Sequence, residues 1–306
     1  MSVEVIMPSL VTLFTLLVIG YVCGKLNLAG AEFTSQLSTV LVKVIMPIKI
    51  FCAIVQPFEM SMLVNCVIIF VLQLLFYVLS HLLAIGVTKL LKVPDKSLGD
   101  WLYALTFPNA GFMAFPILTA LLGADGLFYG SIANIAFNLY SFTAGIYMFQ
   151  KEGGEPISFK SICLTPVNVA IALGLVFFVC SIPIPSLFEE ALVSFGDMTT
   201  PISMFILGAI LSKTPLKNAF TSRSAYIINA FRLIFIPLIF GFIIILLPIE
   251  ELLKQVLIII LAMPCATLTV IFSEKYGGDT ELSATTVFLS NVLCMITLPL
   301  LLVWFF

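Results

Sequence analysis

Apolar residues along this chain come in long runs, separated by short polar intervals that hold most of the charges. A helix needs roughly 20 apolar residues to cross the hydrocarbon of a bilayer. Ten runs approach that length: about 5–25, 34–55, 62–90, 98–122, 125–149, 165–182, 188–212, 224–247, 252–276 and 281–306. They are continuously apolar, without the alternation that marks a membrane β-strand. The pattern predicts an all-α polytopic membrane protein of ten transmembrane helices, with no stretch left over for a soluble domain. The first run carries Glu4, has no basic segment before it and is too long for the apolar core of a secretory leader. It therefore reads as a span rather than a cleaved signal.

Composition excludes the alternatives. Of 306 residues, 61% are hydrophobic and 10% charged, and the mean hydropathy is +1.20. Soluble domains carry about 25% charge, so this chain has too few charges to cover a water-soluble globule or to stay disordered. Fourteen basic residues against 16 acidic ones form no basic stripe, which argues against nucleic acid as a partner. The seven cysteines are scattered, without a CxxC pair, and read as small apolar filler.

Charge does set an orientation. Lys25, then Lys89, Lys92 and Lys96, then Lys151 and Lys160, then Lys213, Lys217 and Arg223, then Lys275 fall in the odd-numbered loops, whereas the even-numbered loops hold Lys254 alone. The positive-inside rule places the odd loops in the cytoplasm and both termini on the extracytoplasmic side of the cell membrane. Lys43, Lys49 and Arg232 fall within spans, with Arg232 expected toward the cytoplasmic interface.

Prolines recur at a near-constant offset. Pro8 matches Pro166 at 158, Pro47 matches Pro201 at 154, Pro108 matches Pro264 at 156, and Asn134 matches Asn291 at 157. The spacing predicts two five-helix repeats, residues 1–150 and 165–306, joined by a cytoplasmic linker over 151–164. Five is odd, so the second repeat enters the membrane inverted, an architecture common among secondary transporters.

Pro47, Pro108, Pro201 and Pro264 are the expected helix breaks. Pro108 and Pro264 fall near the middle of spans 4 and 9, where non-helical backbone is tolerated only in protein or beside a wet cavity. Each break creates a half-helix N-terminus whose free N–H groups and positive dipole end favour an anion. These donors begin near Asn109, Ala110 and Gly111 in span 4, and near Cys265 and Thr267 in span 9. Because the spans run in opposite directions, the breaks are expected to face each other at one site.

The stretches FPNAGFMAFPI and MPCATLTVIFSEKYGGDTELSATTVFLSNVLCMITLPLLL resemble the auxin efflux carrier family, which includes bacterial malate and malonate permeases and the plant PIN-type auxin carriers. The resemblance covers essentially the whole chain. It implies an NhaA-like fold with crossing broken helices 4 and 9. Spans 1, 2, 6 and 7 would form a scaffold, often dimeric, and spans 3–5 and 8–10 a transport bundle. Plant members carry Asn-Pro-Asn in span 4. This chain has Phe107-Pro108-Asn109 and lacks the long plant-type middle loop. Auxin itself is therefore a poor fit.

The remaining candidates are scarce polar residues inside spans. Lys43 and Lys49 flank Pro47, and a lysine at mid-membrane costs about 2.5–3.5 kcal/mol on insertion scales, so each should face protein or water and is a candidate to attract an anion. Asn134, Asn138 and Asn291 are candidates to bind substrate or to satisfy carbonyls freed by the breaks. Asp197 is a candidate proton site. His81 reads more simply as a packed, hydrogen-bonded side chain, and Asp279 as a helix cap. No nucleotide-binding loop, HExxH or GxSxG is present, so neither an ATP-driven pump nor a membrane hydrolase is expected. The sequence thus predicts a non-enzymatic secondary or facilitative transporter, of elevator type, for a small organic anion: a mono- or dicarboxylate such as malate or malonate, or an auxin-like acid. It predicts no cofactor, with H+ or Na+ as possible coupling ion. An anion channel of the same fold is the rival reading.

Overall fold

The computed structural model describes residues 3–150, 164–213 and 220–306, and among them every regular element is helical. In chain order these are α1 (Val3–Lys25), α2 (Ala31–Val40), α3 (Met46–Ile54), α4 (Met60–Leu90), α5 (Asp95–Thr106), α6 (Phe115–Tyr140) and α7 (Pro166–Val179). There follow α8 (Ser186–Asp197), α9 (Thr199–Leu211), α10 (Arg223–Ala230), α11 (Ile236–Leu246), α12 (Glu251–Leu261), α13 (Leu268–Tyr276) and α14 (Thr280–Phe305). Seven helical runs are long and apolar enough to cross a membrane, and α7 is a shorter apolar helix. The protein is a polytopic α-helical membrane protein.

These runs are divided differently from the ten apolar stretches. Residues 98–122 are interrupted at Phe107–Asn109, and residues 252–276 fall into the short halves α12 and α13. The run Ala110–Gly145 is continuous by helical pairing, yet Gly123 within it has φ +67°, ψ −149°, a conformation that L side chains rarely adopt. The chain kinks there, where the sequence places the boundary between spans 4 and 5. The basic residues Lys151, Lys160 and Lys217, Cys163 and nearly all of the expected linker lie outside the described residues.

Proline shapes the helices in two ways. Pro47, Pro116 and Pro237 each stand two residues after a five-residue π-turn, at Leu41–Ile45, Ala110–Ala114 and Phe231–Phe235. A proline lacks the N–H for the helical bond and presses on the carbonyl four residues back; the wider turn makes room. Pro47 thus widens its helix and does not break it, contrary to the sequence expectation. Pro201 does not break its helix either. It sits in the first turn of α9, where the missing N–H has no partner to lose, and the interruption falls before it at Met198. A fourth π-turn, Ser141–Gly145, receives Tyr103: its hydroxyl lies 2.5 Å from Ser141 Oγ and its ring lies over Gly145.

Helix α4 is inside out relative to a water-soluble helix. Asn65, Gln73, Tyr77 and Ser80 are buried, while Val64, Val67, Val71 and Leu75 are exposed. In water such a face would be an aggregation surface; in lipid it is the favourable arrangement, with polar groups turned to protein.

The helices pack as two groups. One has α1 along α9 and α3 against α7 and α8. The other has α4 against α5 and α6, α10 against α14, and α12 against α6 and α11. In the first group Gly20 lies on the Phe205 carbonyl and Gly208 on the Leu17 carbonyl and Tyr21 N–H, so α1 and α9 meet backbone to backbone.

Candidate functional site

The two interrupted helices meet at their breaks. Pro108 and Cys265 form an isolated antiparallel bridge. The Asn109 N–H donates to the Pro264 carbonyl at 2.8 Å, and the Ala266 N–H donates to the Phe107 carbonyl at 3.1 Å. Backbone groups that the prolines exclude from helical pairing thus pair with one another, as burial in a low-dielectric interior requires. The Cys265 N–H donates to Ser290 Oγ at 2.8 Å, which fixes the second break to α14.

Four helix ends converge here, and they are not treated alike. The two C-terminal ends expose carbonyls and the negative ends of their dipoles. Arg232, on the π-turn between α10 and α11, is wholly buried and serves both. Its Nη2 donates to the Leu261 carbonyl at 2.8 Å, its Nε to Met263 at 3.2 Å, and its Nη1, at the limit of 3.5 Å, to Leu105. Arg232 therefore does not lie at the cytoplasmic interface, as its position in the run suggested. The carbonyls left free by the breaks hold its guanidinium in the core.

The two N-terminal ends have no comparable partner. Asn109 Oδ1 accepts from the Phe112 N–H at 3.2 Å, but Asn109 Nδ2 is buried with no hydrogen-bond partner, and the residue is 3% exposed. Thr267 opens α13 without a side-chain cap. Both ends border a cavity of about 220 Å³ that reaches across to Val42 and Met46 on the α2–α3 run and to Thr165 and Val167 at the start of α7. Its walls carry the rings of Phe112, Phe115, Phe137 and Phe142, and Asn134 and Asn138 bring amides from one face of α6. Asn138 Nδ2 donates to Asn168 Oδ1 at 2.8 Å, a bond from α6 to α7 beside the cavity. Asn109, a residue of the cavity wall, thus keeps a buried amide donor without a partner, which is costly unless a ligand or water completes it.

A family profile described as "Membrane transport protein" matches residues 5–161 and 155–302. The chain belongs to the auxin efflux carrier family. Among its relatives is an uncharacterized transporter of Methanocaldococcus jannaschii, 25% identical over 294 residues that cover 93% of this chain and 94% of that protein. Another, an uncharacterized transporter of Methanothermobacter thermautotrophicus, is 23% identical over 293 residues, covering 95% and 96%. The family membership makes the protein a transporter rather than an enzyme.

Within this family member the sequence candidates divide. Asn109, Ala110, Gly111, Asn134, Asn138 and Thr267 line the one cavity. Lys43, Lys49 and Asn291 do not. Lys43 is exposed on the Leu41–Ile45 π-turn. Lys49 is paired with Asp197 at 2.5 Å across α3 and α8. Asn291 is buried in α14 and donates to its own helix at the Val287 carbonyl, 2.7 Å. His81 Nδ1 lies 2.8 Å from the Tyr140 hydroxyl, and Asp279 caps α14 by accepting from the Leu282 N–H at 3.1 Å. Sequence reasoning missed Asn168, whose signal was a second polar residue just after the helix-opening Pro166, and the four phenylalanines, which nothing in composition separates from lipid-facing ones.

Proposed function

We propose that the protein carries a small organic anion across the cell membrane by alternating access at this cavity. The observation that carries the reading is the unequal provision for the four helix ends. The ends that attract a cation have Arg232 as a resident partner. The ends that attract an anion border a cavity, and Asn109 at one of them has an unpartnered amide donor. A carboxylate there accepts from Asn109 and from the N–H groups of the two half-helices, while an apolar body packs on the phenylalanine rings. With the anion-attracting helix ends at one locus and no cationic side chain in the cavity wall, a monocarboxylate fits better than a dicarboxylate, whose second charge would have only neutral partners.

Ten spans in two inverted repeats, 1–150 and 165–306, are the topology we favour, with 151–164 as the cytoplasmic linker. Its support is the matched proline offsets and the matching breaks at Pro108 and Pro264. In this reading α1, α2–α3, α7 and α8–α9 are a scaffold of the NhaA-like type, and a homodimer would form through it. The remaining helices are the moving bundle of an elevator, and the cavity lies on the boundary between the two. Phe142, Thr165 and Val167 stand at the helix ends that lead into the linker, so with the basic loops inside the cavity opens toward the cytoplasm. The backbone bridge at Pro108 and Cys265, next in the chain to the cavity-lining Asn109 and Ala266, supports a carrier over an open channel.

Proteoliposomes with imposed pH, Na+ and voltage gradients test this, loaded with a panel of radiolabelled carboxylates. Saturable uptake accelerated by the same acid inside is the expected result. The reading fails if no anion of the panel moves and none stabilises the protein; currents far above carrier turnover would favour the channel.

A further inference from the structure

Among the described residues no carboxylate stands beside Arg232. Its hydrogen bonds all go to backbone carbonyls, and the titratable side chains around it are Tyr77, Cys265 and Cys294. Among the described residues the ion pairs are Lys49–Asp197 and Lys254–Glu251. The buried carboxylate of Asp100 accepts from the Asp279 N–H at 2.8 Å and the Ser283 hydroxyl at 2.6 Å, and it is not among the groups around Arg232. A helix end bears about half a unit charge, positive at the N-terminus and negative at the C-terminus. Two ends of each sign meet at the crossing and cancel in sum. What remains in the empty protein is the whole positive charge of Arg232, buried mid-span behind the crossing.

We propose that Arg232 is a specificity-determining residue. Its fixed charge leaves the empty site one positive charge in excess, so the cavity selects ligands of one net negative charge over neutral and doubly charged ones of the same shape. Arg232 does not line the cavity and acts through the field across the crossing. In a water-poor interior such a field is weakly screened. A monoanion brings the buried region to neutrality; a neutral ligand leaves the charge uncompensated, and a dianion replaces it with one of opposite sign. This inference rests on the cavity being the anion site.

Two sets graded in charge, the second on one malonate skeleton, test it by competition and thermal stabilisation at pH 7.5: phenylacetamide, phenylacetate and phenylmalonate; and dimethyl malonate, monomethyl malonate and malonate. In wild-type protein the singly charged member of each set binds tightest. In Arg232→Met the advantage of that member over the neutral one falls by about tenfold, the scale of one unit charge acting over roughly 12 Å at an effective dielectric near 20, and Arg232→Lys restores it. A purely structural role for Arg232 would weaken all three members alike. The proposal is overturned if a dianion or neutral member binds wild-type protein as well as its monoanion, if neither monoanion binds, or if Arg232→Met leaves the ranking unchanged. The wild-type ranking decides even if Arg232→Met fails to fold. The carboxylate panel separates the two readings: anions carried without a charge preference sink this inference and leave the transport reading standing.

Discussion

The seam between α1 and α9 and the boundary at the cavity are both helix contacts inside one membrane protein, and they are built oppositely. At the seam, Gly20 and Gly208 remove the side chains, and carbonyl and N–H groups of one helix rest on the other. Close backbone approach of this kind is what small residues provide in lipid, where no hydrophobic effect presses helices together. At the boundary the contact is made by long side chains around an open space, with Asn138–Asn168 as a direct polar bond across it. One contact is fixed by backbone and the other is held by groups that can change partners. In the proposed elevator the first contact would belong to the scaffold and the second to the boundary that slides.

Five substitutions would break or sharpen the contrast. The largest effect is expected for Gly208→Leu, whose side chain has no room against the Leu17 carbonyl. Overpacking costs about 1–3 kcal/mol even where side chains can move, and here backbone must move. Loss of monodisperse protein after extraction is the expected outcome, and a stable, active variant would show the seam to be dispensable. Next is Asn109→Asp, which keeps the acceptor for the Phe112 N–H but replaces the free donor with a negative charge. Uptake should fall at least tenfold, with the fold intact by circular dichroism, since a hydrogen bond to a charged group contributes about 1.5–3 kcal/mol. Unimpaired uptake would remove Asn109 from the site.

A smaller effect is expected for Asn168→Ala, which removes a bond worth about 0.5–1.5 kcal/mol. Exchange rates should change by a few-fold while apparent affinity changes less, because the bond links the two groups of helices beside the cavity. An unchanged rate would mean that the bond does not bias their movement. The smallest is expected for Lys49→Met and Asp197→Asn. This pair lies within one helix group and away from the cavity, and Asp197 is largely exposed. A partly exposed pair contributes about 0–1 kcal/mol, so uptake should be unaltered and a double-mutant cycle should read only a slight loss of stability. A marked loss of affinity in Lys49→Met would return that lysine to the site.

How much was legible in the sequence follows from what each residue depends on. The breaks at Pro108 and Pro264 were readable because proline acts locally, through a missing N–H and a steric clash. Their mutual pairing was only suggested, by the opposite run of the two spans. Pro47 and Pro201 misled because a proline also fits at a π-turn or in a first helical turn, and only the surrounding helix decides which. Lys49 and Arg232 misled more. A charge in an apolar run must find a partner, but the run does not say which. Lys49 has Asp197, 148 residues away, and Arg232 has carbonyls that are free only because other helices are broken. The cavity's aromatic walls were invisible for a related reason: in a chain with 28 phenylalanines, the four that line the cavity are set apart by tertiary placement alone.

The bridge between Pro108 and Cys265 also bears on how the protein is made. Its two strands are separated by more than half the chain, so when the first break enters the membrane its partner has not yet been synthesised. Until then the Asn109 N–H and the Phe107 carbonyl must be met by water, by the translocation machinery or by a non-native turn. The first half is therefore a substrate waiting for the second, and completion of the crossing is a late step of biogenesis that a chain truncated before residue 264 can never take.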